Sequence, residues 1–246
     1  MTSTLPGSLL GRPSILKEME EGSIIIYPFN IQHLSSASYD VTLGDCYYLE
    51  QATQAQFFNP YSEESVKSVW GSLQQAKPVS DFPELLKSPK IKKTDKVIWI
   101  DPGSTILAHT NEFVGGRKNV LGMMKTRSSL GRSFISVCKC AGWGDIGFYN
   151  RWTMEITNNS KHYRIPLIVG RRIAQIVFFR AEGYGTEDEL RENKTKYTSE
   201  SHGSKYQSRD VLPPGPVIYD EETQRKLNSL WGSELMLPRL YMEEQY

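Results

Sequence analysis

The chain has 246 residues, with 29 Lys+Arg against 28 Asp+Glu, 39% hydrophobic residues and a formal net charge of +1. So even a balance, without long blocks of like charge, excludes bulk electrostatic binding of a nucleic-acid backbone, which needs a basic face. The longest apolar runs, Ser23 to Tyr27 and Ile173 to Phe179, fall far short of the roughly 18–20 residues of a membrane span. Neither nucleic acid nor a membrane is therefore expected as a partner. Met1 to Arg12 has no basic region followed by an apolar stretch, so no secretory signal is read there. Three cysteines (Cys46, Cys138, Cys140) are an odd number and suit core thiols in a reducing, cytoplasmic setting.

In chain order, Ser14 reads as the N-cap of a short helix over Ile15 to Glu21, with Gly22 just past its end. Strand-like segments follow at Ile24 to Tyr27, Tyr39 to Leu43, Cys46 to Leu49, Val97 to Ile100, Thr105 to His109 and Val120 to Lys125. Four more lie at Phe134 to Cys138, Trp152 to Thr157, Arg164 to Val169 and Ala174 to Phe179. All are short, rich in β-branched or aromatic residues, and separated by Gly, Pro, Asn and Asp, the rhythm of a β-sandwich or barrel. Residues 51–95 break it: a polar segment, with helices expected around Glu63 to Gln75 and Asp81 to Lys87, reads as an insertion over one end of the β core. Residues 1–212 read as one domain. Residues 213–246 form an extension with a helix expected from Asp220 to Trp231, too short to bury a core alone.

Common catalytic signatures are absent. There is no Walker A loop, GxGxxG, GxSxG or HExxH, and His33, His109, His162 and His202 have no ligand spacing along the sequence. The zinc-deaminase pattern HxE…PCxxC is missing too, so any deamination is expected to proceed without zinc. Lys125 to Arg132 does stand out, as a small-residue turn carrying two hydroxyls and two guanidiniums between strands. Arginine presents planar donors matched to phosphate oxygens. Taken alone, however, the segment reads first as a solvated turn with Arg–carboxylate pairs. Further on, Ala141-Gly142-Trp143-Gly144-Asp145-Ile146-Gly147-Phe148 would let backbone approach a ligand closely. Glu155 sits in the apolar strand Trp152 to Ile156, on one face with Thr153 and Thr157. That face is either simply wet or lines a cavity in which a carboxylate with a raised pKa could do acid–base work.

Arg127-Ser128-Ser129-Leu130-Gly131-Arg132, then Ala141-Gly142-Trp143-x-Asp145-x-Gly147-Phe148 and Thr153-Met154-Glu155, together resemble the dCTP deaminase branch of the dUTPase-like superfamily. Ala37-Ser38-Tyr39-Asp40-Val41-Thr42-Leu43-Gly44, Leu107-Ala108-x-Thr110-x-Glu112, Gly170-Arg171-Arg172-Ile173-Ala174-Gln175 and Tyr197 with Lys205-Tyr206-Gln207 agree in order, so the resemblance runs from about residue 14 to 208. It implies a mainly β fold, a distorted β-barrel or jelly roll of the dUTPase-like type with short peripheral helices, assembled as a homotrimer. It implies Mg²⁺ carried by the substrate triphosphate, no metal bound by the protein's own residues, and dCTP and dUTP as ligands with dTTP a candidate inhibitor.

Carried onto this sequence, the resemblance makes Glu155 the general base, with Ser128 and Arg132 positioning it and the water and Ala141 shaping the space beside C4. Arg127, Ser129, Gln175, Tyr197, Lys205 and Tyr206 would bind the triphosphate, Phe148 would stack under the deoxyribose, and Asp145 would meet the 3′-hydroxyl or a water near the phosphates. Asp145-Ile146-Gly147 departs from the commoner Asp-Pro-Gly, and Cys140 takes a position usually held by Thr. The first expectation is dCTP deamination to dUTP and ammonia. The alternatives are a bifunctional enzyme giving dUMP and pyrophosphate, a plain dUTPase, and a trimeric regulatory protein without turnover.

Overall fold

The computed structural model describes residues 8–182. The helix expected at Asp220 to Trp231, the boundary at residue 212 and the site residues Tyr197, Lys205 and Tyr206 lie outside the described residues. In chain order the elements are α1 (Arg12–Glu20), β1 (Ile24–Tyr27), β2 (Tyr39–Leu49), α2 (Glu63–Trp70), β3 (Gln74–Gln75), β4 (Lys77–Pro78), β5 (Lys96–Ile100) and β6 (Thr105–Gly116). They continue with β7 (Val120–Thr126), α3 (Ser128–Gly131), β8 (Ile135–Val137), β9 (Trp143–Gly144), β10 (Tyr149–Asn158), β11 (Ile165–Ile168) and β12 (Arg172–Arg180).

Mainly β is what the sequence rhythm predicts, and the differences are instructive. Helix α1 begins at Arg12 on Gly11 rather than on Ser14, because Pro13 supplies a fixed φ in the first turn. Gly22, with φ 72°, ends it as expected. The two segments expected at Tyr39 to Leu43 and Cys46 to Leu49 are one strand, because Gly44 and Asp45 form an irregularity in its ladder to β6 instead of a turn. Helix α2 stops at Trp70, five residues early, where Gly71 takes φ 63°. The region expected to be helical around Asp81 to Lys87 forms two short 3₁₀ turns, at Val79–Asp81 and Pro83–Lys87.

A nine-stranded sheet runs β8-β10-β6-β2-β12-β7-β9, with β1 added to β6 and β3 to β2, and a small second sheet is ordered β11-β5-β4. The 51–95 segment thus supplies a strand to each sheet. Strand β6 is the spine: β10 lies along one edge, while β1 pairs with its C-terminal end and β2 with its N-terminal end on the other. Nearly every β6 residue is buried, as a strand covered on both faces requires.

The β6–β10 ladder breaks between Arg151 and Thr153, and Thr110 repairs the break. Its hydroxyl accepts the Trp152 N–H at 2.9 Å and donates to the Glu112 carbonyl at 2.8 Å. The buried Glu112 carboxylate accepts from the Thr42 N–H and hydroxyl, both at 2.8 Å, tying β2 to β6. At Gly115 a Cβ would collide with the Phe148 carbonyl, so glycine here lets the chain carrying Phe148 lie directly on β6.

The core takes Leu10, Ile15, Tyr39, Ile106, Met154, Ile156 and Phe178. Among the described residues no helix is long and apolar enough to cross a membrane. Cys46 and Cys138 are buried thiols as expected, whereas Cys140 is exposed.

Candidate active site

Several of the residues singled out by sequence fall into two groups in the structure, each joined by residues that the sequence reading gave no role. The first is a cationic cradle on β2, β12 and the end of β7. Gln175 stands opposite Asp40 in one ladder and Lys125 in the other. The guanidiniums of Arg127 and Arg172 lie 3.5 and 3.1 Å from the same oxygen of Asp40, and the Gln175 amide donates to the Ser38 hydroxyl at 3.5 Å. One buried carboxylate therefore orients two arginines and compensates only one of them, leaving positive charge and free donors suited to phosphate oxygens. His33 also feels these charges, and burial together with Arg172 lowers its pKa.

Asp40 lay in the quoted strand motif without an assigned role. The signal that would have found it is a lone acid between Tyr39 and Val41 in a strand, since a buried charge must be paired.

Just after β7 the chain makes α3, a single helical turn in place of the open turn expected from its small residues. Ser128, Ser129 and Arg132 on it are all exposed, and the turn is closed by the Arg132 N–H donating to the Ser128 carbonyl at 3.0 Å. Arg127 precedes the turn and reaches Asp40, while Ser128 and Arg132 face solvent in the isolated chain.

The second half-site centres on Glu155, which lies opposite Leu107 of β6. Strand β10 alternates strictly, with Trp152, Met154 and Ile156 buried and Thr153, Glu155 and Thr157 partly exposed. The carboxylate is on the open face and yet largely enclosed. Burial raises its pKa, offset by a hydrogen bond with its own backbone and by Lys139, and its Oε2 is buried with no hydrogen-bond partner among the described residues. A carboxylate held this way accepts a proton readily and keeps a free acceptor.

Beside it, Cys138 and Lys139 both adopt left-handed φ values of 62° and 41°, which cost non-glycine residues energy and tend to cluster at functional sites. The Cys138 carbonyl accepts the Ala141 N–H at 2.6 Å, so this strained corner sets the start of the Ala141–Phe148 segment near Glu155. Burial pushes the Cys138 thiol up to about 12, so it stays protonated.

Ala141, Trp143, Asp145, Phe148, Trp152 and Thr153 line a pocket of about 170 Å³. Phe148 is held edge-on by Trp152 at a centroid distance of 5.4 Å. Thr153 is two residues from Glu155 on the same face, so the pocket lies roughly 7 Å along the strand from the carboxylate. The pocket is smaller than the roughly 300–1,000 Å³ of complete ligand sites. Strand β9, within the pocket segment, pairs with Gly122 and Met123, and Arg127 lies four residues beyond Met123, roughly 13 Å along the chain. Within one chain the pocket and the Asp40–arginine cluster thus lie apart along β7.

Sequence reasoning missed Arg151, which lines this pocket and also a larger cavity of about 500 Å³ bounded by Tyr27, Phe29, His33, Tyr39 and Glu112. An arginine in a strand that otherwise reads as apolar and polar alternation carries no signal of burial on the sequence alone.

Residues 9–181, which include both half-sites, match the family described as dCTP deaminase-like. The chain belongs to the dCTP deaminase-like family. It is 28% identical over 172 residues to a protein of Methanobrevibacter smithii named dCTP deaminase, dUMP-forming, covering 70% of this chain and 79% of that one. It is 29% identical over 173 residues to the protein of the same name from Methanocaldococcus jannaschii, covering 69% and 81%. The fold resembles that of a 2′-deoxycytidine 5′-triphosphate deaminase from Agrobacterium tumefaciens, with a TM-score of 0.50 and 15% identity. That alignment covers 76% of this chain and 53% of the solved one, so the chain spans about half of that structure's length. At that identity the likeness bears on the dCTP deaminase-like fold alone.

Proposed function

We propose that this protein deaminates dCTP and hydrolyses the resulting dUTP in the same site, releasing ammonia, dUMP and pyrophosphate. The observation that carries the reading is Glu155, an enclosed carboxylate with a raised pKa and a free oxygen beside a small aromatic-floored pocket. Sequence alone puts dUTP first as the product. The relatives named dUMP-forming move the bifunctional reading ahead of it.

In the deamination step Glu155 takes a proton from water as the hydroxyl adds to C4, and delivers it to N3. The C4 hydroxyl then gives its proton to Glu155, which passes it to the amino nitrogen, and ammonia leaves as the C4 carbonyl forms. Ser128 and Arg132 would position the water and Glu155, and the Ala141 backbone would shape the space at C4. Phe148 would lie under the deoxyribose and Asp145 would meet the 3′-hydroxyl. Arg127, Ser129 and Gln175 in the cradle, with Tyr197, Lys205 and Tyr206 from the later chain, would hold the triphosphate. In the second step water attacks the α-phosphorus and the α–β bridging oxygen leaves with pyrophosphate. Mg²⁺ carried by the triphosphate would neutralise charge on the phosphate oxygens.

Because the pocket is small and the cradle stands apart from it, a homotrimer in which neighbouring subunits complete each site is part of this proposal. Three free cysteines suit a cytoplasmic setting.

Product analysis tests the bifunctional step. With dCTP and Mg²⁺, dUMP should appear from the first turnovers with no build-up of dUTP. Stoichiometric accumulation of dUTP would reduce the activity to deamination alone.

A further inference from the structure

Cys46 and His109 are 63 residues apart and show no ligand spacing along the chain, yet the β2–β6 ladder sets them side by side. The Sγ of Cys46, an imidazole nitrogen of His109 and a carboxylate oxygen of Asp45 all lie within 4.8 Å of one another, the one such group among the described residues. From this geometry we infer that Asp45, Cys46 and His109 bind a borderline-soft divalent ion, Zn²⁺ by preference, as a clasp between β2 and β6, separate from the deamination chemistry.

Several neighbours of the three groups are arranged as a ligand set requires. His109 Nδ1 is 2.8 Å from the Thr110 carbonyl, which can only accept, so Nδ1 carries the proton and Nε2 keeps its lone pair. That Nε2 faces the Cys46 N–H at a long 3.4 Å, a contact weak enough to give up. The hydrogen bond on the distal nitrogen is the usual way a metal-binding imidazole is oriented. The Gln75 amide, on β3 across the ladder, donates to Cys46 Sγ at 3.0 Å, a contact that strengthens when the sulfur becomes a thiolate.

Asp45 divides its two oxygens: Oδ2 holds Lys96 at 2.9 Å, while Oδ1 lies 3.5 Å from Cys46 Sγ and is the one turned inward. Gly44 belongs to the same construction, because a Cβ there would strike the His109 ring, so only glycine lets the imidazole press against this stretch of β2.

Ligand atoms around a tetrahedral zinc stand about 3.3–3.8 Å apart, given bonds of about 2.0–2.3 Å. The group therefore closes by about 1 Å on binding, within reach of side-chain rotation at Asp45, which is half-exposed. The fourth position opens to solvent beside Asp45 and takes water. Binding breaks the Cys46 S–H bond, forms a metal–sulfur bond and releases one proton to solvent. The charges of Asp45 and the thiolate match those of the ion. Burial and Asp45 push the Cys46 thiol up to about 11, against which the ion must act; Arg151, close enough to act on all three groups, disfavours the cation but favours the thiolate.

Cobalt reports on the site without relying on turnover. The full-length protein, stripped with a chelator and titrated with Co²⁺, should develop a thiolate-to-cobalt charge-transfer band together with tetrahedral visible bands, saturating at one ion per chain and displaced by Zn²⁺. Cys46→Ser should remove the charge-transfer band, whereas Cys140→Ser, at the exposed thiol, should leave it intact. Asp45→Asn, at a half-exposed position that does not threaten folding, should weaken Co²⁺ binding at least tenfold. No charge-transfer band in the wild type, a band that survives Cys46→Ser, or unchanged affinity in Asp45→Asn would each overturn the site. None of these outcomes depends on whether dCTP is a substrate.

Discussion

At Glu155 the chemistry and the stability of the protein pull in opposite directions. Burial lifts the carboxyl above its ordinary value of 4.5, so the folded state holds that proton more tightly than the unfolded chain does. Stability contributed by the protonated group is complete below the unfolded pKa and is lost as pH rises through the folded one. Glu155→Gln should therefore match the wild type in thermal midpoint at acid pH and exceed it near neutrality. A midpoint lowered at neutral pH would mean that the ionised carboxylate is stabilising and well solvated. The same shift should place the acid limb of the pH–rate profile above 4.5.

In the cradle, Arg127→Ala removes a charged donor aimed at phosphate and should weaken dCTP binding by about 1.5–3 kcal/mol, the range for hydrogen bonds to charged groups. Calorimetric titration showing unchanged affinity would take Arg127 out of the site.

Among the elements, β6 and β10 decide where the site residues end up, and the decisive contact is Thr110. Replacing it with Val keeps the shape but leaves the buried Trp152 N–H without its acceptor, a loss of about 1–3 kcal/mol in urea unfolding. A change below half a kcal/mol would show that the bulge closes by other means. Most of the strands could be seen in the sequence because β-branched runs bounded by turn residues have few alternatives. The alternation that puts Glu155 on the open face with Thr153 and Thr157 was equally visible. Where the reading failed, long-range structure overrode a local signal: Gly44 and Asp45 read as a break between two strands, but one strand carries on through them, with the break confined to a register shift in its ladder to β6. In the same way, nothing local announces that Asp40 gathers Arg127 and Arg172, or that Cys46 meets His109, since each depends on register across strands.

For the molecule as a whole, the described residues divide the proposed site between a base pocket of about 170 Å³ and a phosphate cradle roughly 13 Å away along β7. Sedimentation equilibrium should give three times the chain mass, and a monomer active at high dilution would contradict a site completed by neighbours. Motif order along the chain was enough to identify the family, because several strings recur at consistent spacing. The half-sites were not visible there, because spacing says nothing about which strand ends meet.

The most direct test pairs ammonia release with dCTP binding in wild type and Glu155→Gln, both measured in Mg²⁺. The account predicts one ammonia per dCTP consumed by the wild type, and a variant that binds dCTP with nearly the same affinity but releases none. A wild type that binds dCTP without releasing ammonia, or a variant that still releases it at the wild-type rate, would contradict it.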